Sequence, residues 1–205
     1  MLYRRMRNPP RKALLSIGLT ALGVGLVVLA DAVHGDASDV GSAILAIVGA
    51  TLAVVSFVVF IWAGLSALGY RRLMAGKDVV ARWHVSATDW DKFRAFNQIR
   101  AAQHLSLRND IRLRKQTPLQ GVDVIVGRNR IIVDGSYHSI TARPVGGRQV
   151  NWVGPPADPE CLEFPKVYAR SHGGSIDLTL RVPVPAAARA EGVKVFEFYR
   201  PKPKK

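Results

Sequence analysis

The chain has one cysteine, Cys161, and two long stretches without a single charged side chain. A lone cysteine excludes an intrachain disulfide and a multi-cysteine metal site, and it fits a reducing compartment. Histidines are few: His34, His84 and His104 are scattered without metal-ligand spacing, so no metal ion is expected. No glycine-rich phosphate loop is present, because Gly146-Gly147-Arg148 lacks both the Lys-Ser/Thr ending and the strand-to-helix context. With no nucleotide motif and no metal cluster, no cofactor is expected either. No internal repeat is visible.

The two uncharged stretches cover residues 13–30 and 40–70. Each has the length at which an apolar run reads as a membrane-spanning helix. A helix satisfies its own backbone in lipid, so each run is most simply one span. Asn8-Pro9-Pro10 suits the start of the first, with Asn as N-cap and Pro in the first turn. Trp62 and Tyr70 are placed to anchor the end of the second at an interface. A basic start followed by Ala30-Asp31-Ala32 also imitates a cleavable signal peptide. The first apolar run exceeds the usual signal length and a second follows at once, which favours a retained span.

Charge then orients the hairpin. The N-terminal tail carries Arg4, Arg5, Arg7, Arg11 and Lys12 and no acidic residue, the loop carries Asp31, Asp36 and Asp39 and no base, and the rest of the chain is +12. Lys and Arg flanking spans stay inside, so both termini are expected in the cytoplasm and the loop outside. The expected organisation is a basic cytoplasmic tail (1–12), a first span (13–33), a short periplasmic loop (34–42), a second span (43–66), a cytoplasmic α+β domain (67–200) and a basic tail (201–205). Arg outnumbers Lys and Ala, Val and Gly are abundant, which points to a bacterial inner (plasma) membrane. No acidic, basic or histidine side chain lies within the uncharged stretches of the two spans, which argues against an ion or proton path. Small residues four apart (Ala21 and Gly25; Ser42, Ala46 and Ala50; Gly49 and Ala53) predict close packing of the two spans on each other, ahead of a homo-oligomer contact.

Beyond Tyr70, residues 79–85 read as a strand. Thr88 and Asp91 form a capping box for a helix over 89–105, with Trp90, Phe93, Phe96 and Ile99 on its buried face. The second half is β-rich. Residues 122–127 and 130–135 form a hairpin split by Arg128-Asn129, and Asp134-Gly135 marks another turn before SYHSITA. QVNWVG, CLEF, KVYARS and SIDLTLRV supply further strands of an antiparallel sheet or small barrel. PVPAAARAEGVKVFEFYR closes the domain as a helix, with Gly192 weakening it.

Two spans followed by strands and a terminal helix resemble bacterial two-span inner-membrane proteins that carry a cytoplasmic pleckstrin-homology-like domain. The segment GRNRIIVDGSYHSI looks like the hairpin such domains place early in their sheet. The resemblance implies a fold and carries no functional residue across.

Catalytic ingredients are sparse. Asp134, Ser136 and His138 alternate and would share one strand face, but Asp134-Gly135 turns the chain and no oxyanion motif accompanies them. His138 is expected as a surface residue. Cys161 with His172 could form a thiolate pair, although a small buried cysteine is the simpler reading. Arg108, Arg112, Arg114 and Lys115 are the candidate binding residues, for an anionic surface; Arg71, Arg72, Lys77 and Arg82 flank the membrane. Aromatics are few near the cluster and no nucleic-acid motif is present, which argues against nucleic acid as partner. The expectation is an integral membrane protein whose domain is a binding or scaffold module for a protein partner. The alternatives are an anionic-lipid or nucleic-acid binder at the membrane surface, and a membrane-tethered enzyme with a site assembled from distant residues.

Overall fold

A computed structural model describes residues 5–7, 9–33, 40–103, 109–111, 113, 116–140, 149–154, 159–169 and 175–200. The chain divides into two units, Met1–Arg72 and Leu73–Lys205.

The first unit has a short strand β1 (Arg5–Arg7), helix α1 (Pro9–Val33) and most of helix α2 (Val40–Met74). Both helices are long and apolar enough to cross a membrane. The apolar stretch 43–66 sits inside the longer α2, whose last turn carries Arg71 and Arg72. Buried positions recur every seven residues at Pro9, Ser16, Gly23 and Ala30 on α1 and at Ser42, Gly49, Ser56 and Ala63 on α2, with Ala67, Gly69 and Leu73 also buried toward the end of α2. A spacing of seven keeps one seam facing its partner and gives a left-handed crossing. Small side chains on that seam let the backbones touch. A Cβ on Gly23 would lie 2.6 Å from the Ala53 nitrogen, and one on Gly49 would lie 2.8 Å from the Gly23 carbonyl oxygen. The two helices therefore pack on each other through Gly23, Gly49 and Ala53. Gly25 meets nothing within 4 Å, and Ala21 and Ala50 face outward. The hydroxyls of Ser16, Thr20 and Thr51 donate to the carbonyls of Lys12, Ser16 and Ile47, so these polar groups are satisfied within their own helix.

In the second unit β2 (Val79–Val85), β3 (Val122–Gly127), β4 (Arg130–Val133) and β5 (Ser136–Ser139) are antiparallel neighbours in the order β5-β4-β3-β2. Cross-strand register puts Trp83, Val124, Val133 and Ser136 on one face, together with Ala81, Val126, Ile131 and His138. That face forms the core. Asp134 and Gly135, at φ 49° and 64°, make the β4–β5 connection a tight turn of the kind that matches strand twist.

A second sheet runs β6-β7-β8, comprising Asn151–Val153, Glu160–Ala169 and Ser175–Val184. CLEF and KVYARS, expected as separate strands, merge into the single ten-residue β7. Pro165 lies inside it because β6 pairs only with Cys161 to Glu163, leaving that side of Pro165 outside the ladder. Leu162, Phe164, Leu180 and Val182 join the core on one face of this sheet. Glu163 and Arg181 face the other way, toward helix α3 (Ala87–Gln103).

Helix α3 starts two residues earlier than its expected capping box. Ser86 is the capping residue: its hydroxyl accepts from the Asp89 backbone N–H at 3.1 Å and donates to the Asp89 carboxylate at 2.8 Å. Its buried face is Trp90, Phe93 and Asn97; Ile99 is exposed, contrary to the expected apolar stripe. A 3-10 turn (Ala186–Ala188) leads into α4 (Arg189–Tyr199), where Gly192 is a packing requirement. A Cβ there would come within 2.6 Å of Val184 and 2.9 Å of Trp152. The Tyr199 hydroxyl donates to the Gly127 carbonyl and ties α4 to the end of β3.

Candidate functional site

The second unit buries an unusual amount of charge for its size. Asp110, His138, Lys166 and Arg181 are all less than a tenth exposed. Such groups are almost never fully buried unless paired, and two clusters supply the partners.

In the first cluster, His138 on the core face of β5 and Lys166 on β7 converge on one carboxylate. Lys166 Nζ donates to Asp110 Oδ2 at 2.9 Å, and His138 Nδ1 lies 3.5 Å from the same oxygen. Burial by itself would raise the Asp110 pKa, but the His138 imidazole and the Lys166 ammonium outweigh it. The carboxyl is held well below its ordinary 3.8. The backbone fixes Asp110 as well, since its N–H donates to the Thr179 carbonyl at 2.8 Å.

The second cluster lies on the opposite face of the same sheet. Arg181 Nε donates to Glu163 Oε1 at 2.7 Å, and its terminal nitrogen sits 2.6 Å from that oxygen. The other terminal nitrogen donates to Asn97 Oδ1 at 2.7 Å, and the guanidinium lies 5.4 Å from the centre of the Phe96 ring. Asn97 in turn donates to the Phe93 carbonyl. Asn109 links the two clusters. Its side-chain amide accepts from the Arg181 backbone N–H and donates to the Arg181 carbonyl, both at 3.0 Å, as a neighbouring strand would. Its Oδ1 also accepts from the Ile111 N–H.

In both clusters opposite charges are paired, and Asp110, His138, Lys166 and Arg181 are buried. Cys161 is fully buried, its thiol donates to the Pro159 carbonyl, and burial pushes its pKa up to about 12. Burial thus disfavours the thiolate, the form in which a cysteine reacts. Among the described residues no group of three His, Cys, Asp or Glu side chains could hold a metal ion.

The expected site residues Arg108, Arg112, Arg114 and Lys115 lie outside the described residues, as do His34, His104 and His172. What the structure describes between them is the anchor Asn109–Ile111. His138 is a correction: it is fully buried against Asp110, not a surface residue, and Asp134 is in a turn with a left-handed backbone. Arg82 bridges to Asp123 at 3.3 Å. His84 contacts the other Asp123 oxygen at 3.0 Å. Glu163, Lys166 and Arg181 stand in strands that also carry Glu160, Asp177 and Thr179, so no sequence pattern singles out the buried set. No known protein family, no curated protein and no solved structure matches the chain.

Proposed function

We propose that the chain is a bacterial inner-membrane protein held by α1 and α2, with both termini in the cytoplasm. Its second unit serves as a binding or scaffold module for a protein partner rather than as an enzyme. The observation that carries the membrane reading is the outward face of the two helices. Leu14, Leu15, Val28, Ile44, Ile47, Val54 and Leu65 are each more than half exposed, while Gly23, Gly49 and Ala53 form the close contact between the helices. Apolar surface costs about 25 cal/mol per Å² in water, so helices that are apolar on every side call for lipid around them. Arg71 and Arg72 at the end of α2, against Asp31 near the end of α1, support the inside placement of the domain. Four antiparallel neighbours, three further strands and a closing helix support a pleckstrin-homology-like small barrel. Helix α3, inserted between the first two strands, is a departure from that pattern.

The buried, neutralised character of His138, Asp110 and Cys161 supports the non-catalytic reading. Reporter fusions after Asp36 and after Lys205 test the placement. A periplasmic reporter should be active only after Asp36 and a cytoplasmic one only after Lys205. The reverse result at Lys205 would overturn the placement. Loss of the cellular role in folded, inserted Cys161→Ala or Ser136→Ala protein would overturn the non-catalytic reading.

A further inference from the structure

We propose that the edge of the second unit formed by Lys77, the β3–β4 turn and Arg130 docks on the anionic headgroups of the membrane that holds α1 and α2. The inference rests on the membrane reading above and adds a surface and a ligand class to it.

Three observations place this edge. Leu73, in the last turn of α2, is buried and packs on the backbone of β3; a Cβ on Gly127 would be 2.4 Å from its Cδ2. Gly76 and Asp78 have φ of 78° and 62°, and the chain folds back so that the Asp78 carbonyl accepts the Arg128 N–H at 3.2 Å. Lys77 is thereby set beside Arg128. The Asn129 carbonyl then accepts from the Ile140 N–H at 2.8 Å, which fixes the turn from its other side.

Lys77, Arg128 and Asn129 are exposed. Arg130 is partly buried, with its guanidinium 5.6 Å from the centre of the Tyr137 ring. The segments 75–80 and 127–130 contain one carboxylate, Asp78, against three cations.

Leu73 follows Tyr70, the expected interfacial anchor, by about 5 Å along a helix axis at roughly 1.5 Å per residue. Lys77 follows three residues after the end of α2, and attraction between such cations and anionic headgroups acts over about a Debye length, roughly 8 Å, at physiological salt. The opposite end of the sheet, where Val85 pairs with Val122, lies about 20 Å further along the strands at roughly 3.3 Å per residue. There Arg82 and His84 are already matched by Asp123. The two ends differ in charge as a surface-docked unit requires.

The test uses the full chain carrying Asn129→Cys with an environment-sensitive dye; the buried Cys161 thiol resists labelling. The protein is reconstituted in vesicles of phosphatidylcholine alone or mixed with phosphatidylglycerol, each containing a headgroup-borne quencher. Quenching should be strong only with phosphatidylglycerol and should fall as salt is added. Lys77→Gln with Arg128→Gln should lower the docked-to-undocked ratio about 25-fold, at roughly fivefold per charge. Arg189→Gln with Lys194→Gln, on α4, should not change it.

Equal quenching in both vesicle types, or no effect of the Lys77 and Arg128 changes, overturns the proposal. So does full competition by soluble glycerol phosphate, which would indicate a site for free phosphate. Alkaline carbonate washing of the same vesicles separates the two levels. Protein that washes off refutes the membrane reading, whereas retained protein without a phosphatidylglycerol response refutes only the docking surface.

Discussion

Replacing Glu163 by Gln removes one charge and almost no volume, so it isolates the energetics of the buried Arg181 cluster. Arg181 is fully buried and both its Nε and one terminal nitrogen converge on Glu163 Oε1. The variant keeps an acceptor there but removes the carboxylate charge that faces the guanidinium, while the contacts with Asn97 and the Phe96 face stay. Removing one partner of a buried pair costs about 3–5 kcal/mol. Glu163 retains 14% exposure and the amide retains one acceptor, so the lower end, about 3 kcal/mol, is expected. That corresponds to a fall of about 10 °C in the unfolding midpoint of a unit this size. Arg181→Met combined with Glu163→Leu replaces the pair by apolar groups and should unfold within about 1 kcal/mol of the native chain. Urea unfolding of the detergent-solubilised protein reads both, because Trp83 and Trp90 are 5% and 1% exposed and report on the core. Glu163→Gln within about 0.5 kcal/mol of the native protein, or a double variant weaker than the single one, would refute the argument.

Two further predictions follow from the same unit. The Asp110 carboxyl is held below its ordinary 3.8 in the folded state, so its stabilisation is fully present above about pH 4 and is lost as pH falls through the lower folded value. Asp110→Asn should remove up to about one proton's worth of slope, roughly 1.4 kcal/mol per pH unit, from the stability profile below pH 4, and acid titration of both proteins by near-UV circular dichroism would show unchanged slopes if this is wrong. Gly192→Ala raises helix propensity by about 1 kcal/mol but drives a Cβ to 2.6 Å from Val184 and 2.9 Å from Trp152, so it should destabilise on balance by about 1 kcal/mol or more, whereas Gly64→Ala, which meets nothing within 4 Å, should not. A stabilising Gly192→Ala in thermal melts would show that α4 can shift freely on the sheet.

Local pattern and long-range pairing were not equally legible in the sequence. Strand β2 and the β3–β4 hairpin follow from β-branched runs broken at Arg128-Asn129, because pleated alternation and turn chemistry are local properties. The helix pair was legible too, and its seam in part. Of the four-residue small spacings, Gly49 and Ala53 lie at the contact and Ser42 is buried, whereas Ala21, Gly25 and Ala50 are not at it and Gly23 joins it through a seven-residue repeat. Both patterns coexist in the same apolar stretch, and only the partner helix decides between them. At α3, Thr88 and Asp91 satisfy a capping box as well as Ser86 and Asp89 do; the end of β2 at Val85 selects the earlier pair.

The candidate site was the least legible part, and the reason is sequence distance. Asp110 meets Lys166 across 56 positions, and Arg181 meets Asn97 across 84. No periodicity joins such residues, and each looks alone like an ordinary surface charge. Their common burial changes what they can do. A reacting histidine and carboxylate need a substrate within hydrogen-bond reach of the pair, yet His138 is sealed in the core and Lys166 already occupies Asp110. Asn109 spends its side chain on both backbone groups of Arg181, so the stretch Asn109–Ile111 is fastened to the β8 edge from one side and to two cationic side chains from the other. Buried charge is a poor source of net stability but penalises every arrangement that leaves it unmatched. The clusters thus select a single placement for a segment with little apolar content of its own. On the binding-module reading proposed above, that selection is the contribution such groups make.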